Sequence, residues 1–207
     1  MQQIIESRRI DCLYHFTQAK NLKGILTYGL LPKDNLDSLG IPYCHNDDYR
    51  FDNCTDAVCC SLEFPNYKMF YSLRMSYPDI DWVVLKLNAR ILYELKCAFC
   101  WTNAGDSSMY SVPIEQRMGK QAFANLFTNR PGYPSRETLG IPDYYPTNPQ
   151  AEILVFDTIP IDYIQYIYFQ DNATYDKYFD IIPPIFDATW QSDIFCPRKD
   201  WEFWKTR

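Results

Sequence analysis

The chain has 207 residues and a formal charge of −6 at pH 7, a length that suits a single domain over 1–207, since domains usually run to roughly 100–200 residues. The acidic balance excludes a protein that coats nucleic acid through bulk electrostatics, because phosphate binding draws on Lys and Arg displacing counterions. No run of about 18 apolar residues occurs, and none follows Met1, so neither a membrane span nor a signal peptide is expected, and the cytoplasm is the expected compartment.

Aromatic residues make up 17% of the chain. Rings in that number exceed what a core uses, so some are expected on a binding face. The 8 cysteines are scattered as core thiols rather than as a disulfide framework. Cys97-Ala98-Phe99-Cys100 has the spacing of half a zinc site, but a second ligand pair is missing and His15 and His45 are the only histidines, so no metal is expected.

In chain order, Asp11 to Phe16 reads as a strand, and Thr17 is suited to cap a helix with Leu22, Ile25 and Leu26 at helical spacing, ended by Gly29. A polar stretch over residues 33–56 lacks periodicity and reads as a substrate or cofactor loop. A strand (Ala57 to Leu62), a helix from near Pro65 carrying Met69, Phe70 and Leu73, and a strand from Trp82 to Leu87 follow. Asn88 suits the cap of a helix to about Leu95, and Cys97 to Trp101 forms another strand. Pro113 to Phe127 has the spacing of an amphipathic helix with Ala122, Phe123 and Leu126 inward. Pro131 to Pro149 is a Pro- and Tyr-rich loop that leads into strands at Ala151 to Phe156 and Tyr163 to Phe169. Strands and helices mix without a strict βαβ rhythm, and with 7 glycines there is no glycine-rich dinucleotide fingerprint.

Two constellations carry chemistry. Gln150 and Glu152 form Gln-x-Glu straight after the long loop. A carboxylate there can hold a ribose 2′-hydroxyl and oppose the positive charge that develops when a glycosidic bond at the sugar breaks. The same spacing also fits an exposed residue where a strand begins. His15 and Thr17 alternate along the first strand and so share a face, where an imidazole and a hydroxyl can hold a ribose or an amide; a packed core histidine satisfies the same pattern.

The chain also resembles a known family, the DarT-type ADP-ribosyltransferase toxins. The resemblance runs through Leu13-Tyr14-His15-Phe16-Thr17, Asn21-Leu22-Lys23-Gly24-Ile25-Leu26, Gly29-Leu30-Leu31 and Asn46-Asp47-Asp48-Tyr49-Arg50-Phe51-Asp52. It continues through Phe64-Pro65-Asn66-Tyr67, Trp82-Val83-Val84-Leu85, Thr102-Asn103-Ala104, Gln150-Ala151-Glu152-Ile153-Leu154-Val155 and Arg198-Lys199-Asp200-Trp201.

What the resemblance implies is an α/β (α+β) ADP-ribosyltransferase fold, a split and mainly antiparallel sheet with flanking helices around an NAD cleft. It implies NAD as co-substrate and single-stranded DNA, or RNA, as acceptor through a guanosine or thymidine base. It further implies a cognate antitoxin, either a hydrolase that removes ADP-ribose or an inhibitor. In that reading Glu152 and Arg50 are catalytic, and His15, Phe16, Thr17, Gly24, Leu31 and Arg50 bind the cofactor. Asn103, Tyr133, Tyr144, Tyr145 and Gln150 then face the nucleic acid, with Arg117, Lys120, Arg130 and Arg136 along its phosphates. Arginine suits electrostatic positioning better than proton abstraction, because its pKa lies above about 12. A transferase acting on protein side chains, or an inactive binding module of the same fold, are the alternatives.

Overall fold

The computed structural model describes residues 1–45 and 52–205. Within them seven strands form one sheet: β1 (Cys12–Gln18), β2 (Val58–Leu62), β3 (Trp82–Asn88), β4 (Cys97–Cys100), β5 (Glu152–Val155), β6 (Ile164–Phe169) and β7 (Asp187–Trp190). Their order is β4-β5-β2-β1-β3-β6-β7, and every pairing is antiparallel except β6 with β7. β-Branched and aromatic side chains dominate β6, as a pleated surface favours. Val83, Val84, Leu85 and Leu87 of β3 have no exposed surface, so this strand is covered on both faces.

The two halves of the sheet meet weakly. β1 pairs with β3 along its whole length, from Cys12↔Asn88 to Gln18↔Trp82. With β2 it pairs only at Leu13↔Leu62 and Tyr14↔Ser61, and the two strands then part. One face of the sheet carries a continuous core that includes Leu13, Val58, Leu85, Ile153 and Ile167. The other face holds two separate clusters, one around Ala98, Cys100 and Leu154 and one around Phe70, Trp82 and Val84. The split between β1 and β2 lies between them.

Helices flank this sheet: α1 (Gln2–Arg8), α2 (Leu22–Tyr28), α3 (Lys33–Leu39), α4 (Tyr67–Ser76), α5 (Ile91–Glu94), α6 (Ser107–Tyr110), α7 (Gly119–Ala124), α8 (Arg136–Leu139) and α9 (Asn172–Tyr178). Leu22, Ile25 and Leu26 of α2 are buried, as their spacing predicts. Asn66 caps α4 by accepting from the Met69 amide at 3.3 Å, which satisfies one of the donors left open at a helix start. Asn88 is the last residue of β3, and its side chain accepts from the Arg90 amide at 2.9 Å in the turn that opens α5.

The structure departs from the local reading in several places. Thr17 does not cap α2: the β1–β3 ladder continues past it to Gln18, and a 3-10 turn at Ala19–Asn21 separates the strand from the helix. The stretch 33–56 contains α3, which buries none of its residues and is supported by a Lys33–Asp37 ion pair at 2.6 Å. Leu36 and Leu39 are its only apolar residues, one spacing that is too short to mark a helix by its period. The amphipathic segment Pro113 to Phe127 is not one helix. Met118 makes an antiparallel bridge with Ala98 and Gly119 has φ +80°, so α7 stands between two 3-10 turns, although Ala122, Phe123 and Leu126 are buried. The loop Pro131 to Pro149 contains the short α8. Cys97 and Cys100 fall in the cores on opposite faces of β4, and among the described residues no group of three His, Cys, Asp or Glu side chains is placed to hold a metal. Among the described residues, too, no helix is long and apolar enough to cross a membrane.

Candidate active site

Glu152 opens β5 directly opposite Cys100 of β4, and only 7% of its surface is exposed. Burying a carboxylate is costly unless donors reach it. Here the Ala104 amide donates to Oε2 at 2.7 Å and Asn103 Nδ2 donates to Oε1 at 3.2 Å. Asn103 is itself turned by the Gly105 amide, which donates to its Oδ1 at 2.9 Å. The chain entering β5 is also fastened: the Thr147 amide donates to the Leu126 carbonyl at 2.9 Å, and Asn148 Oδ1 accepts from the Gln150 amide at 2.9 Å. Both carboxylate oxygens are thus held by the 103–104 turn.

Across the split, His15 Nδ1 lies 2.8 Å from the Cys59 carbonyl. A carbonyl oxygen only accepts, so Nδ1 carries a proton and the ring's orientation is set by a backbone group of β2. This bond spans the two strands where their ladder has ended. Thr17 Oγ1 accepts from Asn21 Nδ2 at 2.9 Å. Asn21 also donates to the Cys44 carbonyl at 2.8 Å and accepts from the Cys44 amide at 2.7 Å, so it ties the segment after α3 to the end of β1. Gln18 Nε2 donates to the His45 carbonyl at 2.6 Å and fastens the same segment.

Glu152, Asn103, His15, Thr17, Asn21 and Cys44 line one cleft, together with the apolar side chains Ile25, Leu30 and Ile41. Lys33 and Tyr43 also line it, and both bind Asp37, at 2.6 and 3.0 Å. The Lys33 and Tyr43 contacts hold the Asp37 carboxyl below its ordinary range. Burial pushes the Tyr14 phenol well above its usual range, so this cleft residue is neutral and can donate. Phe16 stacks on Phe70 with ring centroids 4.5 Å apart, which ties the cleft wall to the cluster beneath α4.

Of the residues singled out from sequence, the cleft brings together His15, Phe16, Thr17, Gly24, Leu31, Asn103 and Glu152. Arg50 lies outside the described residues. Gln150, Tyr133, Tyr144 and Tyr145 do not line the cleft. Tyr144 packs against the main core, and Tyr145 meets Tyr144 edge-on at 4.9 Å with Arg198 over its ring at 5.2 Å. Two of the arginines assigned to phosphates are structural instead. Arg117 is 6% exposed and donates to the Val112 carbonyl at 2.8 Å. Arg136 clasps the loop through the carbonyls of Tyr145 and Pro142 at 2.7 and 2.9 Å. The parts with no local signal are Asn21 as a tie to Cys44 and the Ala104 amide, each acting on a partner distant in sequence; the cleft wall formed by residues 41–45 falls in the stretch read as a substrate or cofactor loop.

A mainly antiparallel sheet split along its middle, with a held carboxylate on one side of the split and an oriented histidine on the other, is the architecture of an ADP-ribosyltransferase. The family model for DarT, ssDNA thymidine ADP-ribosyltransferase, matches residues 14–194, and the chain belongs to that family. Among solved structures, Thermosipho africanus DarTG in complex with ADP-ribose is similar at 15% identity and a TM-score of 0.62; 89% of this chain aligns, and it spans 50% of that longer chain. Thermus sp. 2.9 DarT in complex with carba-NAD+ is similar at 17% identity and a TM-score of 0.61, with 89% of this chain and 97% of that chain covered. The same Thermus protein in complex with ADP-ribosylated ssDNA aligns at 16% identity and a TM-score of 0.57, covering 89% and 96%. No curated protein matches the chain.

Proposed function

We propose that the protein transfers ADP-ribose from NAD to thymidine in single-stranded DNA, releasing nicotinamide, with Glu152 as the catalytic carboxylate. The observation that carries this reading is the buried Glu152 carboxylate, held by Asn103 and Ala104, in the same cleft as the oriented His15. Family membership supports the acceptor.

The cleft's chemistry suits a dinucleotide: polar groups, the apolar side chains Ile25, Leu30 and Ile41, and Lys33 and Tyr43 held by Asp37. His15 and Thr17 position the nicotinamide ribose, and Gly24 and Leu31 flank the cofactor. Glu152 accepts from the ribose 2′-hydroxyl and opposes the positive charge that develops at C1′ as the bond to nicotinamide breaks. The electron pair leaves with nicotinamide, and a ring nitrogen of the base forms the new bond to C1′ as its proton is released. In a thymidine nucleoside the only ring N–H is N3, which makes N3 the acceptor atom. On the resemblance of its segment alone, Arg50 supplies positive charge near the pyrophosphate. Such an activity damages the DNA of its own cell, so an antitoxin that removes ADP-ribose or blocks the cleft is part of this reading.

The test is to incubate the protein and Glu152→Ala with NAD and matched single-stranded DNA and RNA oligonucleotides and to read their masses. The expected result is an ADP-ribose adduct on thymidine-containing DNA that is lost in Glu152→Ala. An adduct confined to RNA, or to protein side chains, overturns the acceptor assignment; an undiminished adduct in Glu152→Ala overturns the role of Glu152.

A further inference from the structure

The two edges of the sheet are finished differently. β4 closes one of them: its residues are all buried, and Met118 bridges Ala98 from outside. β7 ends the other; it pairs in parallel with β6 alone, and Asp187, Thr189 and Trp190 are exposed. The Gln191 amide donates to the Phe169 carbonyl at 2.8 Å. In a parallel ladder alternate residues turn their backbone groups to the same side, so Asp187 and Thr189 face β6, and the amides and carbonyls of Ala188 and Trp190 face outward. Among the described residues no backbone group beyond the β6–β7 ladder bonds to those two. Such an edge is a template for a further strand, and neither a lysine, a proline nor a bulge within β7 blocks it.

A strand this short offers few backbone bonds, so the side chains around it must select the occupant. They are of two kinds. Ile185, just before β7, is 80% exposed, and Phe179, Ile181 and Trp190 are large apolar side chains left open to solvent as well. Asp171, Asp176, Asp180, Asp187 and Asp193 are all exposed, and the only cation between residues 171 and 193 is Lys177, which is paired with Asp81. That acidity repels a nucleic acid, and it equally repels the same edge of a second copy. A segment carrying cations is attracted, and its apolar side chains gain by covering the exposed ones. The period is set by the strand itself: Ala188 packs toward the main core and Asp187 lies on the opposite face, so alternating apolar and basic residues match both.

We propose that β7 is a docking edge for a protein partner, which adds an extended segment of alternating basic and apolar residues beside it as a further strand. β3 and β6 stand between β7 and the β1 wall of the cleft, so the occupant leaves the cleft open, and docking is separate from the reaction.

The probe is a synthetic decapeptide of alternating lysine and valine, titrated against the whole chain by fluorescence anisotropy, with a glutamate–valine decapeptide as its charge-reversed counterpart. The lysine peptide is expected to bind and the glutamate peptide not to. Binding should slow hydrogen exchange at the Ala188 and Trp190 amides, read by NMR. Asp187→Lys and Ile185→Ser, with thermal melting unchanged, are each expected to raise the Kd about five-fold, the scale of one exposed charge contact or one partly covered side chain. Glu115→Lys makes the same charge change in the turn leading to Met118 at the opposite edge. It should shift the Kd less than about two-fold, because the intervening strands, about 4.8 Å apart, exceed a screening length of about 8 Å. An equal rise in Asp187→Lys and Glu115→Lys reduces the attraction to bulk charge and overturns the proposal. So does a lysine peptide that fails to bind, or one that binds without slowing exchange at Ala188 and Trp190. Self-association seen by light scattering and lost in Ile185→Ser overturns the choice of occupant, since a second copy then holds the edge.

Discussion

Replacing Arg198 by Met tests how the chain that leads into Glu152 is secured. The Arg198 and Asp200 side chains are 2% and 0% exposed and form a bidentate pair with both contacts at 2.6 Å. Arg198 further donates to the carbonyls of Pro146 and Thr147 at 3.0 and 3.2 Å, and Trp204 Nε1 donates to Asp200 at 3.0 Å. Met fills similar volume but removes the cation, so Asp200 keeps the Trp204 donor and loses its counter-charge, while two loop carbonyls lose a donor. Breaking a buried pair from one side costs about 3–5 kcal/mol, and each carbonyl left unsatisfied costs about 1–3 kcal/mol before water re-enters. A loss of about 4 kcal/mol is a large share of a typical stability of about 5–15 kcal/mol. Urea unfolding followed by circular dichroism measures it, provided the m-value is unchanged. The double variant Arg198→Met with Asp200→Leu should be more stable than Arg198→Met alone, because it removes the orphaned charge. A loss below about 1 kcal/mol in Arg198→Met, or a double variant as unstable as the two single losses added, would refute the reasoning.

Two further perturbations follow from local geometry and burial. Gly29→Ala is expected to destabilise by about 2 kcal/mol or more, because Gly29 has φ +85° and an added Cβ would lie 2.5 Å from the Ile159 carbonyl oxygen; Gly24→Ala, with nothing within 4 Å of its Cβ, should instead raise the melting temperature. Burial pushes the thiols of Cys12, Cys97 and Cys100 up to about 12 from an ordinary value of 9.0. Between those values the unfolded chain releases protons that the native state keeps, so their contribution is full below pH 9 and is lost as pH rises toward 12, by up to about 1.4 kcal/mol per pH unit for each thiol. Denaturant midpoints at pH 8, 9 and 10 should fall in that order, and less steeply in Cys97→Ala; equal slopes in the two proteins would count against it.

Much of the secondary structure is legible along the chain because amphipathic period is a local property. The apolar run Trp82-Val83-Val84-Leu85 needs only its own side chains to be read as a strand, and Leu22, Ile25 and Leu26 need only theirs to mark α2. α3 escapes the same reading because it buries nothing, and the break at Gly119 escapes it because Met118 is drawn away to bridge Ala98, a partner twenty residues earlier. The candidate site divides in the same way. Gln-x-Glu at a strand entrance singles out Glu152, and alternation places His15 and Thr17 together, but neither pattern names what holds them. Glu152 is held by Asn103 and Ala104 and His15 by the Cys59 carbonyl, all remote in sequence. The sequence by itself determined which segments are amphipathic and where a carboxylate, an imidazole and a hydroxyl occur. Only the tertiary structure decided that the β1–β2 ladder stops at Tyr14↔Ser61, because strand pairing is a bargain between distant segments and the gap it leaves is what turns those three side chains into one cleft.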